Sequence, residues 1–142
     1  YKKKIADDIL VSIDKDTGGS GNWTDLKTSG ALDPNFHKTI NKSTCKKSSA
    51  WLNNSASLFD SNTKLYRSTD ESAVLSEIKK YRSKEQISQL SEAFTKLTGD
   101  DFYTRLKNID ARLAGIRIEK DYLPDINTYI NGLPNYVEPP CK

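Results

Sequence analysis

Ser68-Thr69-Asp70-Glu71-Ser72-Ala73-Val74-Leu75-Ser76-Glu77-Ile78 runs through Lys79-Lys80-Tyr81 into Arg82-Ser83-Lys84-Glu85-Gln86, and Glu92-Ala93-Phe94 and Gly99-Asp100-Asp101-Phe102 follow. Three helix starts succeed one another at short spacing. Ser68 with Glu71, and Ser83 with Gln86, read as capping boxes, in which a hydroxyl serves an orphan amide and the longer side chain reaches back. Gly99 reads as a C-terminal stop, and Asp100-Asp101 as an immediate acidic restart. Behind the starts lie apolar stripes at helical spacing: Val74, Leu75, Ile78 and Tyr81; Ile87, Leu90, Phe94 and Leu97; Phe102, Leu106, Ile109 and Leu113. Each stripe is narrow, so the helices must cover one another. The expectation is an all-α unit with Leu90, Phe94, Leu106 and Ile109 buried together.

Upstream, Ile5, Ile9, Leu10 and Ile13 share one face, which predicts an amphipathic helix over 2–13. The Gly-rich run 14–22 breaks it, and Trp23, Leu26, Leu32 and Phe36 are anchors that pin the next stretch to the core. A helix over 48–60 carries Trp51, Leu52, Leu58 and Phe59, weakened by serines and asparagines that compete for backbone hydrogen bonds. Downstream, Pro124 suits the first turn of a last helix with Ile126, Tyr129, Ile130 and Leu133 on its face. Gly132 and Pro134 close that helix. The tail 135–142, with Pro139-Pro140, is expected to lie extended over the surface or on a neighbour. Together these readings predict a small bundle of five to six helices with extended polar arms. It divides into an N-terminal segment 1–62, a helical domain 63–134 and the tail.

The order of Thr69-Asp70-Glu71, Arg82-Ser83-Lys84-Glu85-Gln86, Ala93-Phe94 and Gly99-Asp100-Asp101-Phe102 resembles the annexin repeat. The resemblance is best over 69–109 and covers one repeat, not the four of a whole annexin. Single repeats of this kind occur in bacterial and bacteriophage proteins, whose endings look like the segment from Leu123-Pro124-Asp125-Ile126 to Asn135-Tyr136. Annexins hold calcium through carbonyls of a Gly-x-Gly-Thr loop and a downstream acidic side chain. Here Leu65-Tyr66-Arg67-Ser68-Thr69 has no glycine, and only Asp110 stands at the spacing of the acidic ligand. The resemblance therefore implies the repeat's fold without its calcium-dependent lipid binding.

Composition narrows the function classes. The chain has 142 residues, 35% of them hydrophobic, and a mean hydropathy of -0.70, so much surface stays polar. Its 22 basic and 19 acidic residues leave a net charge of +3. That is not the clustered basic footprint of a nucleic-acid binder, and Lys2-Lys3-Lys4 reads as solvated charge. No apolar run reaches the roughly 18 to 20 residues that cross a bilayer, and no signal peptide is visible. The absence of Met, even at position 1, suggests a processed chain or a segment of a longer one.

Cys45, Cys141 and the single His37 lack the spacing of a zinc site. The two cysteines either close one long loop or stay reduced. The expectation is unpaired thiols, with the tail reaching a neighbour, as in a particle assembled in a reducing cytosol. Asp14, Asp16, Gly19 and Asp25 echo a calcium loop but lack its fifth-position oxygen and final glutamate, so a flexible linker is the reading. His37 reads as a surface histidine, no serine or cysteine sits in a nucleophile motif, and carboxylates at helix starts answer the macrodipole. Asn22, Asn41 and Asn53 begin glycosylation-type triplets of the kind expected by chance.

No catalytic, cofactor-binding or metal-binding residue is named. The expected function is a non-catalytic structural or interaction protein of a larger assembly, a bacteriophage virion first. Its expected partners are proteins, not nucleic acid or membrane. The alternatives are a calcium- and phospholipid-binding annexin-like module and a cell-wall-associated hydrolase or binding protein, located outside the cell or on its surface.

Overall fold

A computed structural model of the chain describes residues 30–63, 71–106 and 122–141. A 3-10 turn at Phe36–Thr39 precedes four helices: α1 (Ser49–Thr63), α2 (Glu71–Ile78), α3 (Lys84–Thr98) and α4 (Leu123–Asn131). Residues 102–106 are also helical, and no strand occurs among the described residues. The fold is all-α. The expected 2–13 helix, the Gly-rich run, Trp23, Leu26, the Ser68 cap, Ile109, Asp110 and Leu113 lie outside the described residues.

α3 is the central element, and its ends follow the local rules. Ser83 is its N-cap, and its hydroxyl accepts from the Gln86 amide at 3.1 Å. Gln86 reaches back, but to the Arg82 amide at 2.8 Å, one residue beyond the usual box. The two remaining amides of the first turn are capped from afar: Lys84 N donates to Pro134 O at 2.8 Å and Glu85 N to Asn135 O at 2.9 Å. A helix N-terminus leaves four amides without intrahelical partners, and here chain-distant carbonyls supply two of the missing acceptors.

At the other end Gly99 takes φ 79°, the left-handed conformation glycine adopts freely, and bonds back to Thr95 O. Asp101 restarts the chain as a cap, its carboxylate accepting from both the amide and the hydroxyl of Thr104.

The core forms where the stripes meet. Leu90, Phe94 and Leu106 are fully buried, as are Val74, Ile78, Tyr81, Ile87, Ile126 and Ile130. Phe102 lies between Phe59 of α1 and Phe94 of α3, with ring centroids 5.2 Å apart in each pair. Arg105 closes this corner: its guanidinium pairs with Asp60 at 3.1 Å and Asp100 at 2.8 Å and donates to Thr63 Oγ1. α4 is tied in by Tyr129, whose hydroxyl donates to Tyr81 O at 2.6 Å, with Lys79 O at 3.0 Å.

Two expectations are corrected. Leu97 does not join the core stripe: it is 52% exposed in the last turn of α3, where it lines the groove beside α1. The thiols are not unpaired, and of the two placements expected for the tail, over the surface or on a neighbour, it takes the first. Once Pro134 and Asn135 cap α3, the following chain runs beside residues 42–45, Cys45 N donates to Val137 O at 2.8 Å, and Cys45 bonds to Cys141. No helical or strand periodicity marks the path of the tail. Its unspent backbone carbonyls are what the N-terminus of α3 requires.

Candidate functional site

Residues 30–48 form an irregular strap along α3 rather than a free arm. An irregular segment packed on a helix carries backbone groups that need partners. α3 supplies them from its polar face. Ser91 Oγ donates to Leu32 O at 2.8 Å, Ser88 Oγ to Asp33 O at 2.5 Å, and Gln86 Nε2 to Cys45 O at 2.6 Å. Gln89 Oε1 accepts from Lys47 N, and the buried Glu85 carboxylate accepts from Thr44 Oγ1. A run that reads as an ordinary solvated helix face is therefore the seam that holds the strap.

Within that seam sits a cluster with the residue types of acyl-transfer chemistry. His37 Nδ1 is 3.1 Å from Ser88 Oγ, and its Nε2 is 3.5 Å from Glu92 Oε1. The hydrogen bonds of Ser88 run to the strap backbone. The Ser88 proton points at Asp33 O, and the same oxygen accepts from the His37 backbone amide at 3.0 Å. The direction of the third contact, with His37 Nδ1, follows the imidazole tautomer.

The residue is not the surface histidine expected from sequence, for its side chain is turned from the strap onto α3 and only 13% exposed. Burial lowers the His37 pKa against the opposing pull of Glu92. Glu92 is held below the ordinary carboxylate range, mainly by Lys38, which contacts it closely, with help from His37 and Lys96.

A second cluster lies on the other flank of α1. Ser55 Oγ donates to Glu77 Oε2 at 2.5 Å, and Lys80 pairs with Glu77 at 3.0 Å. Burial works against ionisation of Glu77, but those two partners keep its pKa lowered. The Lys47 ammonium lies 4.0 Å from the Trp51 ring centroid and 5.4 Å from that of Tyr81. The Tyr81 hydroxyl, buried against Ser55 and Trp51, has no partner in hydrogen-bonding geometry, and burial raises its pKa far above the usual range.

Grooves flank α1 on both sides. One of about 530 Å³ runs between α1 and α3 with Leu52, Ala93 and Leu97 as its apolar floor. The other, about 250 Å³, is bordered by Trp51, Leu58, Glu77 and Lys80.

Asp14, Asp16, Asp25 and Asp110, the carboxylates weighed for calcium, lie outside the described residues. Among the described residues no group of three or more His, Cys, Asp or Glu side chains is placed to hold a metal ion, and no helix is long and apolar enough to cross a membrane. Ser88, Glu92 and Glu77 were not singled out from sequence, because no motif marks a residue whose role is set by a partner dozens of positions away. One signal was present: no charged residue occurs from Ser48 to Phe59, in a chain that is 29% charged. No protein family, curated protein or solved structure matches this chain.

Proposed function

We propose that the protein is a non-catalytic structural or interaction component of a larger assembly, a bacteriophage virion being the setting that its annexin-like order of helix starts fits best. The observation that carries this reading is the bonding of Ser88 to the strap backbone on both sides, at Asp33 O and the His37 amide. The polar side chains that resemble a reactive constellation, His37, Ser88 and Glu92, hold the strap on α3 instead.

Support also comes from the way the strap and the tail are fastened. A strap stitched to a central helix, and a tail stapled by Cys45–Cys141, suit a small domain that must keep its shape while partners pull on it. The bond further favours a particle exposed to oxidising surroundings after assembly, or a cell-surface location.

Fractionation of native material, without reductant and with cross-linking, tests the reading. The chain should co-migrate with a large particle in fixed stoichiometry and cross-link to other proteins in it. A free monomer that clears a cell-wall zymogram, or that pellets with liposomes only when calcium is present, would overturn the proposal in favour of a hydrolase or a lipid-binding module.

A further inference from the structure

The two cysteines of the Cys45–Cys141 bond sit in unlike surroundings. Cys45 is 4% exposed, whereas Cys141 is an exposed residue. The segments that carry them are held unequally as well. On the strap, Thr44 Oγ1 donates to the Glu85 carboxylate, Gln86 Nε2 to Cys45 O at 2.6 Å, and Lys47 N to Gln89 Oε1 at 3.0 Å. Cys45 is thus stitched to α3 on both sides.

The tail has weaker ties. Beyond the two carbonyls that cap α3, its hydrogen bonds and ion pairs among the described residues are few. Val137 O accepts from Cys45 N, and the exposed Lys42 ammonium reaches Tyr136 Oη at 2.9 Å and Glu138 Oε1 at 3.4 Å. Exposed contacts of this kind contribute little. Upstream, α4 is anchored by buried Ile126 and Ile130 and by Tyr129, whose hydroxyl donates to Tyr81 O. A release that starts at Cys141 therefore runs back to Asn135 and stops there.

We infer that Cys45–Cys141 is a thiol-opened latch: a thiol reductant exchanges at Cys141, and the tail from Tyr136 to Cys141 swings free while Cys45 stays seated on α3. The incoming thiolate bonds to Cys141 Sγ, the Cys45–Cys141 bond breaks, and Cys45 leaves with the electron pair as a thiolate. A second thiol then displaces the first from Cys141. Two reductant thiols end as one disulfide, and the protons they lose are taken up by the two cysteines. Access directs the attack, since exchange requires approach to the sulfur that is attacked. The inference goes beyond the interaction reading and stands without it, because it gives the chain an open reduced form and a closed oxidised one.

The test treats the full oxidised chain with excess glutathione near neutral pH, without denaturant, and quenches the exchange in acid. Peptide mass spectrometry should find the mixed disulfide predominantly on Cys141. After complete reduction with dithiothreitol, the amide shifts of Tyr136, Val137 and Glu138 should move to those of an unstructured segment, and the Cys45 amide should lose its protection from exchange. The shifts of Leu90 and Phe94 should stay those of the folded core, and reoxidation should restore the closed pattern. Cys141→Ser frees the tail with no reductant present and should give the same local changes.

The inference falls if the adduct forms on Cys45 as often as on Cys141, or if reduction requires denaturant. It falls equally if the reduced chain and Cys141→Ser keep the tail shifts of the oxidised chain. Collapse of the Leu90 and Phe94 shifts on reduction would overturn it too, since the bond would then be a staple of the whole fold and not a latch on one segment.

Discussion

At Gly30 the backbone takes φ 91°, and a Cβ there would come within 2.6 Å of the Phe36 ring. Gly99 also has positive φ, but a Cβ there would meet open space. The two glycines therefore separate strain from crowding. Gly99→Ala should cost about 1–2 kcal/mol, the left-handed penalty alone, and Gly30→Ala should cost more, because an aromatic ring must move as well. Urea unfolding of the two variants checks the order.

His37 makes a second prediction at this scale. Its folded pKa lies below the ordinary 6.5 because burial outweighs Glu92. Between the folded and unfolded values the unfolded chain binds more protons, so stability rises with pH there. The contribution is fully present above 6.5 and is lost as pH falls through the folded value. Between about pH 7.5 and about pH 5.5, His37→Gln should flatten the fall in the urea midpoint. The Glu92 contribution is lost only below its ordinary 4.5, so the two windows are distinct.

At the scale of elements, the strap–α3 seam decides what the sequence's polar face is for. Ser88→Ala leaves Asp33 O without its hydroxyl donor and frees the His37 amide. Ser91→Ala does the same to Leu32 O. Loss of a partner from a buried group costs about 1–3 kcal/mol, against near zero for a solvated serine on an ordinary helix face. The expected result is a destabilised chain in each case. Exchange of the His37 amide should speed up in Ser88→Ala and not in Ser91→Ala. Equal exchange in both would mean that the strap opens as one unit rather than bond by bond.

For the whole molecule, the Cys45–Cys141 bond closes a loop with a sequence separation of 96. On the chain-entropy account a loop of this size stabilises by about 4–5 kcal/mol. The paired serine variant Cys45→Ser, Cys141→Ser should lower the melting temperature by many degrees under non-reducing conditions. It should also raise exchange at Lys84 and Glu85, whose amides are capped by Pro134 and Asn135. Protection that stays unchanged there would show that the tail is held by α4 and its own contacts, without the staple.

The sequence by itself determined the elements whose causes are local. The Ser83 cap, the Gly99 stop, the Asp101 restart and the stripe of Ile87, Leu90 and Phe94 act within one or two turns, so their residues are read side by side. Pro124 and the Ile126–Ile130 pair placed α4 in the same way. Trp51 was legible as a residue of a helix, but not as an exposed one. It faces outward because α1 turns Ala56 and Phe59 inward, which only the packing of the helices decides.

Tertiary structure alone decided that the strap lies on α3, that His37 is covered, that Leu97 is not, and that the tail returns to Cys45. In each case the deciding partner is a backbone carbonyl, an amide or a side chain far along the chain. Every residue type carries the same backbone groups, so composition and periodicity hold no record of which ones will meet.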